Sequence, residues 1–251
     1  MSNPLETGFR AFSFEHLLAL GVMAAFAGCI ILFVRKHANL RARVLTAHGL
    51  ALFLLFNEII WIIYRVRAVG FRVGEQLPFQ LCDVSLIAAI LALWLQRPLP
   101  FELAYYFGLG GATQALLTPD LARGFPTYGC MKFFVSHGGI LVGVFYLIFV
   151  FGLSPRRGSV LRIFAWGNVY MVFAGIANWV LGTNYGYLCH KPEKASLFDK
   201  MGPWPWYLLS LEAITLVLLV LLYLPWWLKR RESGGTDEAD PMDGKGTEIT
   251  T

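Results

Sequence analysis

Two side chains in this sequence have the chemistry of a nucleophile and its base. Cys82 opens one apolar stretch, and His137 lies about one turn into another. A cysteine attacks a carbonyl carbon as its thiolate, which a nearby base or a helix N-terminus favours. An imidazole can take the thiol proton and return it to a departing alcohol. Together these are the tools of acyl transfer. Each residue type also has a plainer role. A lone membrane cysteine is most often a small packing group, and a lone histidine on an apolar face is most often a hydrogen-bonded core group. The residues alone leave both readings open. Asp83 follows Cys82 directly, so on a helix its side chain points ~100° away, toward a capping role or another partner. Ser136 and His137 diverge in the same way and make no ready dyad.

The elements that carry these residues must be membrane helices. The chain has 251 residues, 57% hydrophobic and 15% charged, with a mean hydropathy of +0.57. A soluble domain averages nearer ~25% charged, so the bilayer must be the solvent. A span needs ~20 mostly apolar residues. Spans are expected at 14–34, 47–68, 80–96, 101–118, 132–152, 160–181 and 205–228. The third and fourth are short or interrupted by Gly108, Gly110 and Gly111, small residues that suit close helix packing. The expected fold is all-α, a polytopic bundle of about seven transmembrane helices. An N-terminal segment, 1–13, precedes a membrane domain, 14–228, and a disordered acidic tail, 229–251, follows it.

Seven spans place the polar side chains by depth. Cys82, Asp83, Ser136, His137, Gln114, Thr118, Asn178 and Glu212 all fall within ~12 Å of one membrane face. Asn57 and Glu58 lie deeper, near the middle of the second span. The opposite layer is aliphatic, with Asn168 as its main exception. Buried polar groups in a bilayer are costly and often functional. The expectation is a polar cavity open toward one face and lined by the third to seventh spans. The plainer alternative is ordinary interhelical hydrogen bonding, worth ~0.6 kcal/mol per pair. Basic clusters at Arg35–Lys36, Arg41 with Arg43, Arg156–Arg157 and Lys229–Arg230–Arg231 flank the spans. They put the N-terminus outside and the C-terminus in the cytoplasm, with short inner loops as simple connectors.

The net charge of +5 does not point to nucleic acid, because those clusters are topology-setting flanks. Membrane lipids are the expected partners. Cys29 lies inside a span, and Cys130 and Cys189 fall in expected loops that allow a disulfide in an oxidising compartment. The long first apolar run reads as a helix rather than a cleaved signal. His16, His190, Glu15 and Asp120 show no metal-ligand spacing. No metal or cofactor is expected.

Several motifs carry a family resemblance. Leu77-Pro-Phe-Gln-Leu-Cys-Asp-Val-Ser85, Gly110-Gly-Ala-Thr-Gln-Ala-Leu-Leu-Thr-Pro-Asp120 and Phe134-Val-Ser-His137 resemble the signatures of the bacterial YwaF-like integral membrane proteins. So do Asn184-Tyr-Gly-Tyr-Leu-Cys-His-Lys-Pro192 and Gly202-Pro-Trp-Pro-Trp-Tyr207. The likeness runs from about residue 10 to 228 and extends distantly to the animal transmembrane protein 164. Those relatives are regarded as seven-span, cysteine-dependent acyltransferases of membrane phospholipids. The resemblance implies that Cys82 is the acyl-accepting cysteine and His137 its partner, with Asn184 and Tyr185 among the cavity residues. In the animal branch a histidine follows the cysteine, where Asp83 stands here. It also implies a place in the bacterial cytoplasmic membrane.

Two functions therefore stand side by side. One is a lipid acyltransferase working through a Cys82 acyl-enzyme, with Gln114 or Asn178 as oxyanion donors. The other is a transporter, small-molecule receptor or non-catalytic scaffold, with Glu58 and Glu212 as ion or proton sites.

Overall fold

Apolar runs of this length leave the backbone one way to satisfy its own hydrogen bonds in lipid, which is to close them within helices. The computed structural model describes residues 8–72, 77–192 and 197–232. It is helical throughout its regular structure, and α1 (Phe14–His37), α2 (Leu40–Val69), α3 (Leu81–Leu95), α5 (Tyr128–Phe151), α6 (Ser159–Leu181) and α7 (Trp206–Glu232) are continuous α-helices. The fourth, α4, covers 98–117 in three parts: an α-helical turn Pro98–Leu103, a π-helical stretch Ala104–Ala112 and a last turn Thr113–Leu117. Five of the seven, all but α3 and α4, are each long and apolar enough to cross a membrane. The chain is an all-α, polytopic membrane bundle of about seven helices.

The helices start and stop where local chemistry predicts. Ser13 accepts a hydrogen bond from the His16 N–H at the head of α1, and Asn39 does the same for Ala42 at the head of α2. Gly152 ends α5 and Gly182 ends α6, both in the left-handed conformation that glycine tolerates. The last helix runs to Glu232, four residues past the expected end of the span, and the rest of the expected tail lies outside the described residues. Cys130, expected in a loop, is in the first turn of α5, buried against Leu116 and Phe134. Cys130 and Cys189 are free thiols.

The middle of the bundle is α5, and its glycines explain why. It packs against α1, α2, α3 and α4. A methyl group on Gly138 would strike the Met23 sulfur of α1, one on Gly139 would overlap Leu54 of α2, and one on Gly143 would press on Leu93 of α3. Bare backbone at those points lets three helices close on one. On its fourth side, Gly108 of α4 faces Ile140 across a gap of 2.6 Å to an added methyl. The α6–α7 pair stands outside this group and reaches it through α4, where Gly110 accommodates Leu218 of α7.

One end of the bundle is laced by arginines. Glu102, with no exposed side-chain surface, accepts hydrogen bonds from the main-chain N–H, Nε and Nη2 of Arg156 at 3.0, 2.9 and 3.0 Å. It also takes Arg162 Nη1 at 2.7 Å. Arg43 donates to the last carbonyls of α1, and Arg230 donates to Pro155 O and Tyr223 Oη. The loop 152–158 is therefore not the simple connector expected: its Arg156 neutralises a carboxylate that the apolar α4 could not otherwise bury.

Candidate functional site

At the opposite end, α3 decides where the site lies. It has 15 residues, so it is about 22 Å long. The hydrocarbon core is ~30 Å thick. The helix is therefore shorter than that core, and its first turn carries Cys82. The turn is built by Gln80 and Asp83: the Gln80 N–H donates to Asp83 Oδ2 at 3.1 Å, the acidic half of a capping box. Cys82 is the second residue of this turn and heads the stripe Ser85, Leu86, Ala89 that is buried in the bundle. Its own side chain is exposed where the bundle opens, with Sγ 4.0 Å from Asp83 Oδ1. Asp83 thus has the capping role.

Helix α5 sends three polar groups from its first turns in two directions. Lys132 and Ser136, one turn apart, both face α2. Lys132 Nζ pairs with Glu58 Oε2 at 2.9 Å, and Asn57 Nδ2 donates to Ser136 Oγ at 3.0 Å. The first contact is an ion pair rather than a well-directed hydrogen bond, since Glu58 Oε2 has no aligned donor. Lys132 also lies over the Trp61 ring at 5.4 Å, and Arg65 lies over the same ring at 5.6 Å. His137 points elsewhere. Its Nδ1 is 2.9 Å from Phe133 O. A carbonyl only accepts, so in the neutral ring Nδ1 carries the proton and Nε2 keeps the basic lone pair.

Two cavities meet at this corner. The first, about 250 Å³, lies between α2 and α3 and includes Glu58, Asp83 and Lys132 in its walls. The second, about 590 Å³, lies between α2, α5 and the loop 121–127, and includes Tyr64, Arg123, Lys132 and His137. Trp61 and Lys132 line both. Of the expected site residues, Glu58, Asp83 and His137 stand on these walls, and Cys82 lines neither cavity. Both of these spaces also use α2, which lies outside the third to seventh spans expected to line a cavity. Glu58, expected deeper on α2, pairs with Lys132 one turn into α5.

The remaining expected residues hold structure at or near this end. Asn178 is buried and uses both ends of its amide: Nδ2 donates to Tyr185 O at 3.0 Å, and Oδ1 accepts from Tyr185 N–H at 2.6 Å and Thr183 Oγ1 at 2.8 Å. That commitment uses one of the two N–H donors of the amide. Asn184 ties the same loop, donating to His190 O and accepting from the Cys189 N–H. Tyr185 is buried against Phe79, and burial, with the nearby Asp83 charge, raises its phenol above the ordinary value. Tyr170 of α6 donates to Phe79 O at 3.0 Å, so this loop and α6 close over the segment leading into Cys82. Gln114 Nε2 donates to Thr118 Oγ1 at the C-terminal end of α4. Glu212 accepts from Asn168 Nδ2 at 3.2 Å between α6 and α7. Asn168 therefore belongs with the polar groups rather than with the opposite layer.

His16, considered as a ligand, is fully buried and satisfied. Its Nδ1 accepts from the Phe12 N–H, so Nε2–H donates to Leu116 O at 2.8 Å and covers a carbonyl at the end of α4. Among the described residues no three metal-ligand side chains come together. Residues that sequence reasoning missed are Lys132, Trp61, Arg65 and Arg123. The signal for Lys132 was a cation one turn inside an apolar helix, which requires a partner.

Comparison with known proteins places this geometry. A model of the TMEM164 family matches residues 11–223. An uncharacterized protein of Treponema pallidum (strain Nichols) is 28% identical over 155 residues, covering 60% of this chain. The chain spans 62% of the length of that relative. No solved structure matches.

Proposed function

We propose that this chain, which belongs to the TMEM164 family, is an integral membrane acyltransferase that moves a fatty acyl group between lipids through Cys82. The observation that carries the reading is the fixed tautomer of His137, which leaves Nε2 as a base on the wall of a cavity. Cys82 Sγ attacks the carbonyl carbon of a lipid ester while His137 Nε2 takes the thiol proton. The tetrahedral intermediate collapses, the C–O bond breaks, and His137 returns the proton to the departing lysolipid alcohol. An acceptor hydroxyl then attacks the thioester, His137 takes its proton, and the thiol is released with that proton restored.

The basic clusters at the far end orient the molecule with that end in the cytoplasm, so the site would face the outer leaflet of a bacterial cytoplasmic membrane. Incubating the purified protein with a phospholipid carrying a labelled acyl chain tests the reading. A mass increase of one acyl group on Cys82, lost in Cys82→Ala and strongly slowed in His137→Gln, is expected. An unmodified Cys82, or turnover unchanged in Cys82→Ala, would remove the enzyme. The transport alternative stands on the Glu212–Asn168 pair, a carboxylate held inside the α6–α7 pair. Solute flux into vesicles that is lost in Glu212→Gln, with no acylation of Cys82, would favour it.

A further inference from the structure

The second cavity holds more chemistry than acyl transfer uses. At about 590 Å³ it has the size of a small-molecule site. Its end near the loop 121–127 is aromatic and flat. Trp61 and Tyr64 of α2 lie 21° from parallel with ring centroids 5.7 Å apart, and Tyr128 at the head of α5 meets Tyr64 edge-on at 4.9 Å. Deeper along α5 the wall continues with Phe133 and His137, whose rings are 4.2 Å apart. From Tyr128 to His137 the helix rises about 13 Å. No acidic side chain is among these walls. Glu58, which meets the Lys132 charge, lines the other cavity, and Glu15, whose charge acts on Cys130, stands outside them. Arg123 is different: among the described residues, no hydrogen bond or ion pair holds its guanidinium. The same is true of the Tyr64 and Tyr128 hydroxyls. At the deep end, His137 Nε2 offers a lone pair.

We infer that this cavity binds a water-soluble aromatic carboxylate with a hydroxyl at its far end. The carboxylate takes the Arg123 guanidinium and the two phenol donors, which lie at the end beside the loop. The planar ring lies between the aromatic walls. The far hydroxyl donates to His137 Nε2, the acceptor at the deep end. Aromatic walls alone would also suit a quaternary ammonium, but Arg123 and Lys132 are the charged groups in these walls and repel a cation. The mouth lies at a loop between two spans, so the ligand enters from water. The site goes beyond acyl transfer, because Cys82 is not in its walls. The two share only His137, so an occupant that holds Nε2 also blocks the proposed base.

The test titrates 4-hydroxycinnamate, a rigid planar acid with its phenol and carboxylate at opposite ends, into the full-length protein in phosphatidylcholine nanodiscs, read by calorimetry. One saturable site with a Kd below about 1 mM is expected. The uncharged 4-hydroxycinnamide should bind at least about tenfold more weakly, and cinnamate, which lacks the hydroxyl, about fivefold more weakly. Arg123→Gln should weaken binding about tenfold, the scale of one charge-assisted hydrogen bond. Ala122→Trp fills the cavity from the loop side and should abolish binding, and Tyr64→Phe, which keeps the ring, should weaken it about threefold. Ile176→Trp, on the exposed face of α6, should leave it unchanged. No saturable site on the wild type, equal affinity for the acid and its amide, or unaltered affinity in both Arg123→Gln and Ala122→Trp would overturn the site. Cys82 acylation that proceeds unslowed at saturating 4-hydroxycinnamate would also overturn it, because His137 would then be uncovered. Binding as expected with no acylation of Cys82 under any condition would overturn the reaction and leave the site standing.

Discussion

Replacing Glu102 by glutamine should loosen the whole bundle from its arginine-laced end. The carboxylate has no exposed surface and takes hydrogen bonds from Arg156 through three nitrogens and from Arg162 through Nη1 to both oxygens. Glutamine keeps the shape, removes the charge, and turns an acceptor oxygen into an N–H₂ that faces guanidinium donors. Breaking one side of a buried ion pair costs ~3–5 kcal/mol. Here the arginine side chains are 28% and 34% exposed, so they can turn partly to water once released. The lower end, about 3 kcal/mol, is therefore expected. For a chain of this size that corresponds to a fall in Tm of about 6–12 °C. Thermal unfolding of the purified protein in detergent, followed by labelling of the buried Cys130 thiol, measures it. Replacing all three residues by methionine should recover much of the loss, because no charge is then stranded. An E102Q protein that melts within about 2 °C of the wild type would refute the argument that this clasp holds α4 to the loop before α6.

Other substitutions test the packing and the loop. Gly139→Ala should cost ~1–3 kcal/mol, because its methyl overlaps the buried Leu54. Gly138→Ala meets the flexible Met23 and should cost less, and Gly111→Ala enters open space and should be neutral; equal Tm losses at all three would dismiss the close-approach account. Asn178→Leu strips the Tyr185 main chain of both its partners, at ~1–3 kcal/mol. Amide exchange across 183–192 should then quicken about tenfold or more, and an unchanged rate would show that the amide does not hold that loop. His16→Leu leaves Leu116 O and the Phe12 N–H without their ring partner and should lower Tm by a similar free energy, ~1–3 kcal/mol; a Tm equal to that of the wild type would mean that water satisfies both groups.

The spans were legible because a bilayer imposes one local rule on every helix. Length, apolar content and end signals such as Ser13, Asn39 and Gly182 act within a few residues of the chain. The meetings between helices were not legible to the same degree. Glu102 and its two arginines lie 54 and 60 residues apart, and no local pattern joins them. What the sequence did contain was a carboxylate in the first turn of an apolar helix, a group that lipid forbids without a partner, and arginines bordering the same membrane face.

Depth and rotation explain the rest. Counting residues from a helix end puts Cys82 on α3 and His137 on α5 at a common level and Glu58 deeper on α2, yet Glu58 meets Lys132 of α5. Rotation is legible when a helix has one polar face, and α5 has none, since it is buried on several sides by α1 to α4. Its Lys132 and Ser136 meet α2 side chains, while His137, the next residue, bonds back to Phe133 O and lines the second cavity. A cysteine and a histidine at similar depth thus narrow the chemistry without deciding which cavity each one serves. Lys132, with Trp61, lines both cavities, and it becomes recognisable only when α2 is known to be its neighbour.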